Sequence, residues 1–501
     1  MLSKRPALLW VCMVAWFAGS AWVRPLAMPD EGRYLSVAWE MLASGNWLVP
    51  TLDGLPFLHK PPLFYWLADA AMSTIGPGAF AGRIPSILSA ATLVWGFHRF
   101  DAQWRGAKHA LVLVVVLATT PYLYFAAQYA NMDMLVAACI SGAVLCAAHS
   151  SLRITDGRAP GVALPGAYVL AALGVLSKGL IGCALPAAII AAWLLASGRK
   201  PVLLRLLSPV GIAVFLALVL PWPLAMQARF PGFYDYFIVE QHIHRFTGTT
   251  FNNAQPWWFY LPVVFVMAMP WSFGLMVWRR KPDRPPADGD RIRLLMICWL
   301  AVVVAFFSVP QSKLIGYALP AAPPLAWLLA DGIAAARPTS FMRRHLVAVA
   351  GAACALLLVA VISYGERAPH SARQVAAALA EHRAAGEPVV FVDTYPYDLE
   401  FELKLTPPIP VVQAWGDPAL MHRDSWPKEL LDAGRFKPGA AAGRLVERVP
   451  GASMATGRMW VVSPAGARLP ADLEAIAVAR TSELTLWETR ARPTERFAAS
   501  Y

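Results

Sequence analysis

Long apolar segments recur throughout this chain and constrain its fold more than any other feature. Each has about 17 to 22 residues, the length of helix that crosses a bilayer. The eleven segments are residues 7–27, 80–98, 109–127, 134–151, 161–177, 179–197, 204–224, 257–278, 292–309, 314–335 and 345–364. Only 15% of the 501 residues are charged, against about 25% in soluble proteins. These segments predict an all-α polytopic membrane protein.

Basic residues are concentrated in alternate loops between these segments. They are Lys4 and Arg5, Arg99, Arg105 and Lys108, Arg153 and Arg158, Arg199, Lys200 and Arg205, the cluster 279–293, and Arg337, Arg343 and Arg344. Because Lys and Arg mark cytoplasmic loops, this pattern predicts a cytoplasmic N-terminus and an external C-terminus. The same bias accounts for the net charge of +12, which therefore gives no support to nucleic-acid binding.

The exact number of spans depends on one short segment. Residues 62–76 are apolar but carry Asp69, and they are shorter than the helix that a bilayer requires. If this segment does not cross the membrane, every basic loop falls on the same side. If it does cross, another span is miscounted. We predict about 11–13 transmembrane helices.

The polar loops assigned to the outer side contain nearly all of the unusual charged residues. These loops are 28–61, 128–133, the turn at Lys178, 225–256, 310–313 and everything after about 365. The chemistry of the protein is therefore expected on the outer face. No GxxxxGK[ST] loop is present in the sequence, so nucleotide hydrolysis is not expected to drive it.

The residues after 366 have a different composition, with mixed polar and apolar residues and no span. Residues 389–393, 459–463 and 484–488 are predicted strands, and 376–385 is a predicted helix. We predict a small external α/β domain at 366–501, following a membrane domain at 1–365.

Three acidic residues stand at the outer ends of helices and are candidate catalytic groups. Asp30 and Glu31 follow the first span, and Asp133 opens the span at 134–151. A partly desolvated carboxylate can act as a general base or bind a divalent cation. The alternative is structural, because acids at a helix N-terminus also cap the helix.

Several outer-side cations are candidates for binding phosphate. Lys60 precedes two prolines that stiffen the chain, Lys178 lies in a turn beside Gly179, and Arg245 and Lys313 lie in later outer loops. Cations of this kind bind phosphate oxygens, although a lysine at a membrane interface can also simply extend to water. His59 and His242 are weak candidates for metal ligands.

Six motifs, taken together and in order, resemble those of the GT-C membrane glycosyltransferases, specifically the ArnT-like branch related to protein O-mannosyltransferases. They are Asp30-Glu31, Lys60-Pro61-Pro62-Leu63, Asp133, Ser177-Lys178-Gly179, the segment 240–246 (EQHIHRF) and the segment 313–320 (KLIGYALP). They extend over residues 7–335. The resemblance does not extend into the C-terminal domain.

The resemblance implies roles for particular residues. Asp30 and Asp133 match the acids proposed as catalytic, with Glu31 beside them, and Lys60 and Arg245 match residues that contact lipid-linked phosphate. Lys178, Arg33, Lys313 and Tyr317 are expected to contribute to the same substrate site. A divalent metal, zinc or magnesium, is implied near the residue before Lys60, where relatives often have Glu and this chain has His59.

These inferences combine into one functional hypothesis. We expect a monomeric glycosyltransferase of the bacterial inner membrane, with its active site and C-terminal domain on the periplasmic side. Its donor is a polyprenyl-phosphate sugar, its acceptor is lipid A or another envelope molecule, and it needs no nucleotide. The alternative is a lipid or glycolipid transporter without transfer chemistry. A transporter would carry ionisable residues at mid-span, whereas the charges here lie at one face.

Overall fold

The computed structural model describes residues 6–244, 253–273, 288–335, 340–367, 371–421, 424–449, 458–469 and 473–491. The chain forms two compact units. The first contains residues 1–24 and 59–366, and the second contains residues 25–58 and 367–501. The loop after the first span therefore belongs to the same unit as the C-terminal residues. The prediction assigned residues 366–501 alone to the C-terminal domain and placed this loop in the membrane domain.

The first unit is helical. Its helices are α1 (Pro6–Ala18), α3 (Leu63–Ile75), α4 (Ala79–Trp104), α5 (Ala107–Ala118), α6 (Pro121–Ala127), α7 (Met132–Thr155), α8 (Ala163–Lys178), α9 (Ile181–Ala196), α10 (Lys200–Leu206), α11 (Pro209–Val219), α12 (Pro221–Arg229), α13 (Tyr260–Met267), α14 (Asp288–Ser308), α15 (Ala322–Ala335) and α16 (Ser340–Arg367). A π-helix at Asp235–His244 and 3₁₀ turns at Trp271–Phe273 and Ile315–Ala321 complete it. The helix α2 (Asp30–Ser44) belongs to the second unit.

Every one of the eleven predicted apolar segments contains a helix, but not all of these helices are continuous. The segment 109–127 is bent by 64° between α5 and α6, just before Pro121. Proline cannot donate the backbone hydrogen bond that would continue a helix, and it disfavours helical geometry in the preceding residue. The segment 314–335 begins as a 3₁₀ turn that contains Pro320.

Five helices among the described residues are long and apolar enough to cross a membrane. They are Ala79–Trp104, Met132–Thr155, Pro209–Arg229, Asp290–Ser308 and Leu346–Tyr364. The bent pair α5–α6 makes six if it forms one span, and three shorter apolar helices lie at Ala7–Ala18, Ala163–Lys178 and Ile181–Ala196. The polytopic helical fold is confirmed, while the full number of crossings stays a prediction.

Glycines allow α8 and α9 to pack with their backbones in contact. A β-carbon on Gly182 would lie well inside 3.0 Å of the Gly174 backbone, and a β-carbon on Gly211 would overlap the ring of Tyr168 in the same way. Without a hydrophobic driving force inside the bilayer, helices associate through close packing at small residues. These glycines therefore allow the close contact of α8 with α9 and the approach of α11 to α8.

A buried charge network joins the ends of α4, α5, α14 and α15. Asp331 accepts hydrogen bonds from Arg105 and from Arg293, whose Nε lies 2.8 Å away. His109 bridges two acids, with its Nδ1 2.5 Å from Asp101 and its Nε2 3.6 Å from Asp331. Buried charges are tolerated only when each is paired, so the network holds these four helix ends in one arrangement.

The second unit contains a six-stranded sheet. Its strands are β3 (Val389–Val392), β4 (Val411–Val412), β5 (Leu445–Val446), β6 (Arg458–Pro464), β7 (Leu473–Arg480) and β8 (Leu484–Ala491), in the order β5-β4-β3-β6-β8-β7. The first four are parallel, and β8 pairs antiparallel with β6 and β7. The three strands predicted in this region are confirmed.

Four short helices accompany the sheet, and a two-stranded hairpin lies in the first loop. The helices are α17 (Arg373–His382), α18 (Tyr397–Leu403), α19 (Trp426–Arg435) and α20 (Pro438–Ala441), and the hairpin pairs β1 (Thr51–Leu52) with β2 (Leu55–Pro56). The predicted helix at 376–385 corresponds to α17, displaced by three residues at each end. The sheet core is formed by apolar side chains of β3, β4 and β6.

The loop 25–58 is bound to the C-terminal residues by specific hydrogen bonds. The Ser36 hydroxyl donates to the carbonyl of Tyr397 at 2.6 Å, and the Trp39 indole donates to the carbonyl of Leu405 at 3.0 Å. In the hairpin, the Asp53 carboxylate accepts from the backbone N–H of Ile409 at 2.8 Å. These buried contacts explain why α2 and the hairpin belong to the second unit.

A cluster of buried carboxyl groups lies inside the second unit. Glu40 accepts hydrogen bonds from Thr51 at 2.7 Å and from the backbone N–H of Gly54 at 2.8 Å. The Glu400 side chain adjoins Glu40 and accepts from the Tyr395 hydroxyl at 3.2 Å. Burial raises the pKa of Glu40 and of Glu400, so protons are retained there when surface carboxyls have lost theirs.

Candidate active site

Asp133 lies in the first turn of α7, but it is not the residue that caps the helix. Asn131 is the cap: its side-chain oxygen accepts from the backbone N–H of Asp133 at 2.9 Å, and its amide donates to Asp133 Oδ2 at 3.2 Å. Helix capping was the structural alternative for Asp133. Because Asn131 takes that role, the Asp133 carboxylate is available for another one.

Lys178 is the partner of Asp133. It ends α8, and its ammonium forms an ion pair with Asp133 Oδ1. The two side chains are 13% and 16% exposed, respectively, so the pair is largely removed from water. The Lys178 Nζ also lies 4.7 Å from the ring centroid of Tyr317, within the range of a cation–π contact. The structure thus brings together Asp133, Lys178 and Tyr317, three of the residues predicted from sequence.

The segment 314–316 forms the wall opposite Asp133. The Tyr122 hydroxyl donates to the carbonyl of Ile315, and the Tyr260 hydroxyl donates to the carbonyl of Leu314 at 3.0 Å. A β-carbon on Gly316 would approach Asp133 Oδ2 to less than 3.0 Å. Only glycine leaves room for the carboxylate there. Sequence reasoning missed both tyrosines, which lie in other helices far along the chain.

Lys313 is buried and is bound to the protein itself. It is 3% exposed, and its ammonium donates to the carbonyls of Gln255, at 3.0 Å, and Pro310. Burial lowers the pKa of Lys313. The ammonium therefore fixes the turn that leads into segment 314–316, and its predicted contact with substrate phosphate stays a prediction.

His59 and Lys60 precede α3, which begins directly after Pro62 as the proline pair predicts. His59 is 7% exposed, and its ring centroid lies 5.5 Å from that of Tyr236. Lys60 is half-buried. Their predicted roles, in metal and phosphate binding respectively, stay predictions.

Two other predicted residues cannot be placed. Arg245 lies outside the described residues, and so does the side chain of His242, although the backbone of His242 is in the π-helix.

The predicted metal would need a group of suitable ligands. Within the parts of the chain that the structure describes, no group of three or more His, Cys, Asp and Glu side chains is arranged to hold a metal ion. His59 is therefore not accompanied there by a ready set of further ligands. Zinc and magnesium both require several protein ligands or retained waters.

The acids of the first loop lie in the second unit. Glu31 is buried, and its carboxylate accepts from the backbone N–H of Ala27 at 2.8 Å. This bond ties Glu31 to the segment before α2, and among the described residues no side chain caps the N-terminus of that helix. Asp30 is 32% exposed, and its Oδ1 accepts from the Arg33 guanidinium at 2.5 Å. The predicted helix beginning in this motif is confirmed as α2.

Arg33 also contacts two residues from the C-terminal part of the second unit. Its second terminal nitrogen forms an ion pair with Glu429 of α19, and Glu429 accepts from the Tyr397 hydroxyl at 2.6 Å. Burial disfavours the charged guanidinium, but Glu429, Tyr34, Asp30 and Tyr397 together outweigh this effect and raise the pKa of Arg33. Sequence reasoning missed Glu429 and Tyr397, since no local pattern connects them to Arg33.

Comparison with known proteins gives matches in both sequence and structure. Residues 59–224 match the family described as dolichyl-phosphate-mannose-protein mannosyltransferase. A protein of Pseudomonas savastanoi pv. phaseolicola, named undecaprenyl phosphate-alpha-4-amino-4-deoxy-L-arabinose arabinosyl transferase, is 33% identical over 62% of this chain and 57% of its own length. A protein of the same name from Serratia proteamaculans is 30% identical over 70% of this chain and 64% of its own. The chain thus spans less than two thirds of the length of these relatives.

A solved structure has the same fold over almost the whole chain. It is the crystal structure of ArnT from Cupriavidus metallidurans bound to undecaprenyl phosphate, with a TM-score of 0.75, 21% identity, and coverage of 97% of this chain and 98% of that one. The helical unit and the α/β unit therefore have the fold of a GT-C membrane protein. Within that class the sequence is similar to those of the transferases above, so the resemblance found in the motifs is confirmed.

Proposed function

We propose that this protein transfers a sugar from a polyprenyl-phosphate donor to lipid A or another envelope acceptor. The observation that carries this proposal is the Asp133–Lys178 pair, held over the Tyr317 ring in a largely buried position. An ammonium has three donors, and the pair with Asp133 uses one of them. The remaining donors can bind the phosphate of a lipid-linked sugar.

The cation supports the departure of the lipid phosphate. When the acceptor attacks the anomeric carbon, the bond from that carbon to the phosphate oxygen breaks and negative charge grows on the phosphate. A fixed cation in a site of low dielectric stabilises that charge without having to reorganise. Lys178 supplies such a cation, and Lys60 and Arg245 are proposed to act with it.

The acids act on the acceptor side. A hydroxyl acceptor loses its proton as it attacks, and a carboxylate such as Asp30 or Asp133 accepts that proton as a general base. A phosphate acceptor is already ionised, and then the acids orient it. A single displacement of the lipid phosphate by the acceptor inverts the anomeric centre.

The relatives' names indicate the first sugar and acceptor to test. They are arabinosyl transferases that use undecaprenyl phosphate-4-amino-4-deoxy-L-arabinose, and we propose the same donor here, with lipid A as acceptor. These names are those of transferases, which favours transfer chemistry over lipid transport. A divalent metal near His59 belongs to the proposal as a group that would stabilise phosphate charge.

The location follows from the same reasoning. We propose that the monomeric protein resides in the bacterial inner membrane, with the proposed site and the second unit on the periplasmic side. The alternation of basic loops supports this orientation. A donor that is already activated on a lipid phosphate suits this side of the membrane, because nucleotide-sugars are not present there.

A transfer assay tests the proposal. Purified protein in lipid nanodiscs is given radiolabelled undecaprenyl-phosphate-linked 4-amino-4-deoxyarabinose and lipid A, and the label in lipid A is measured. The expected result is transfer by the native protein and its loss in Lys178→Ala. Arg153→Ala is the control, because Arg153 donates to the carbonyl of Ala159 in a neighbouring loop at 2.8 Å. Full transfer by a folded Lys178→Ala protein would overturn the site assignment.

A further inference from the structure

Arg33 is held between two carboxylates that come from opposite ends of the chain. One terminal nitrogen donates to Asp30 Oδ1 at 2.5 Å, and the other forms an ion pair with Glu429. Asp30 and Arg33 lie in the first turn of α2, whereas Glu429 lies in α19. All three residues belong to the second unit, so α19 supplies the anchor for the side chain that binds Asp30.

Glu429, which fixes the Arg33 side chain, is more deeply buried than Asp30. Glu429 is 6% exposed, Arg33 is 16% exposed and Asp30 is 32% exposed. The Tyr397 hydroxyl donates to the second Glu429 oxygen at 2.6 Å, and the Arg33 guanidinium lies 5.8 Å from the Tyr397 ring centroid. Glu429 thus has each carboxylate oxygen bound, one by Arg33 and one by Tyr397.

A local pair would not be enough to hold Asp30 in one position. An Asp–Arg pair three residues apart on a helix is a weak interaction, and exposed pairs of this kind often contribute nothing measurable. A guanidinium whose second terminal nitrogen is bound by a buried carboxylate has already lost the conformational freedom of its side chain. Its fork geometry then presents one N–H to Asp30 in a single direction.

We propose that Glu429 is a positioning residue for the transfer reaction, acting through Arg33 on the Asp30 carboxylate. This inference rests on the proposed function, in which Asp30 acts on the acceptor. It gives the C-terminal residues a role in the chemistry: α19 sets the orientation of a proposed active-site acid more than 390 residues earlier in the chain.

The test uses Glu429→Gln, which keeps the size of the side chain and its hydrogen-bonding oxygen but removes its charge. The matched control is Asp432→Asn. Asp432 is a buried carboxylate one turn away on the same helix, and its partners Lys428, at 2.6 Å, and Arg435, at 3.1 Å, both lie on that helix. Both variants lose a buried charge from α19, but only one of them loses the bond to Arg33.

The readout is the transfer assay described above, with kcat and KM measured separately. Because misplacement of a reacting group by about 1 Å costs on the order of 100-fold, we expect kcat to fall by about 10- to 100-fold in Glu429→Gln. The KM for the donor should stay within about 2-fold of the native value, since the variant does not change how the donor binds in the ground state. Asp432→Asn should retain the native kcat. A native kcat in Glu429→Gln, with the protein folded, overturns the proposal.

A double variant separates positioning from a purely structural effect. If Glu429 acts through Asp30, Glu429→Gln causes no further loss of kcat in a protein that already carries Asp30→Asn. If it acts only on stability, the two losses multiply, and that result also overturns the proposal. Full activity in Asp30→Asn alone would contradict the role proposed for Asp30, whereas full transfer by Lys178→Ala would contradict the proposed function, so the two failures are distinguishable.

A second variant covers the case in which Glu429→Gln does not fold. Tyr397→Phe removes only the hydroxyl that binds Glu429 and leaves the ring beside Arg33 in place. The loss of one hydrogen bond of about 1 kcal/mol corresponds to a decrease in kcat of about 5-fold. An unchanged kcat in this folded variant would overturn the positioning role.

Discussion

Gly316 faces the carboxylate of Asp133 so closely that no side chain fits between them. A β-carbon on Gly316 would lie less than 3.0 Å from Asp133 Oδ2. The carboxylate cannot easily move away, because Lys178 and Asn131 bind its two oxygens. The segment that carries Gly316 is likewise fixed, by the hydroxyls of Tyr122 and Tyr260.

Gly316→Ala is therefore expected to displace Asp133 and reduce transfer without unfolding the protein. We expect kcat to fall by at least about 10-fold, because small displacements of reacting groups are costly. Gly351→Ala is the matched control, since a β-carbon at Gly351 meets no atom within 4 Å. The measurement is the rate of label transfer. Equal rates in the two variants would show that the contact does not matter.

Loss of the Lys178 cation should weaken binding of the lipid phosphate itself. Hydrogen bonds to charged groups contribute about 1.5–3 kcal/mol, so Lys178→Gln should raise the Kd for undecaprenyl phosphate by at least about 10-fold. Arg153→Gln, which removes a half-buried cation bound to a loop carbonyl, serves as control. Binding is measured by titration calorimetry in nanodiscs, and an unchanged Kd in Lys178→Gln would exclude direct binding by this residue.

The contact between Gly174 and Gly182 predicts a stability effect opposite to the usual one. In an exposed helix, alanine is more favourable than glycine by about 1 kcal/mol. At Gly182, however, a β-carbon would overlap the Gly174 backbone, so Gly182→Ala should lower the Tm by several degrees. Gly166→Ala in the same pair of helices should not, since its β-carbon would meet Cys146 Sγ at an ordinary 3.7 Å. Thermal unfolding in detergent distinguishes them, and a higher Tm for Gly182→Ala would refute the packing.

The buried carboxyl cluster predicts that the second unit is more stable at acidic pH. Burial raises the pKa of Glu40, Asp53 and Glu400 above ordinary values, so the folded state binds more protons than the unfolded state. Stability is therefore fully present below the ordinary carboxyl pKa and is lost as pH rises from there toward the raised values.

The variant Glu400→Gln should flatten this dependence, because it removes a titrating group whose pKa is raised by burial and by the neighbouring Glu40. Glu402→Gln, from the same helix, should have a smaller effect, which it exerts through Asp398, whose pKa it helps to raise. The measurement is the Tm of each protein between pH 5 and pH 8. This range lies above the ordinary carboxyl pKa of about 4. A native Tm that rises across this range would contradict the assigned direction.

Features set by local sequence were predictable. The apolar segments gave the helices, Pro62 marked the start of α3, and Gly179 marked the break between α8 and α9. The assignment of Asp133 and Lys178 to the same face followed from the alternation of basic loops, although their ion pair was not predicted. These inferences needed only periodicity, length and charge.

Contacts between distant residues were not predictable from this one sequence. Arg33 and Glu429 are separated by 396 positions, and no local pattern indicates which acid in the C-terminal region binds Arg33. The membership of residues 25–58 in the second unit has the same origin, since it depends on bonds such as that from Ser36 to the Tyr397 carbonyl. These contacts depend on how helices and strands from distant parts of the chain pack together in the second unit.

The most direct test of the central claim is the mass spectrum of envelope lipids from cells that lack this protein. The account predicts that lipid A loses a species heavier by one aminoarabinose residue, that the native gene restores it, and that the Lys178→Ala gene does not. A spectrum that shows the same sugar-modified lipids with and without the protein would contradict the proposal.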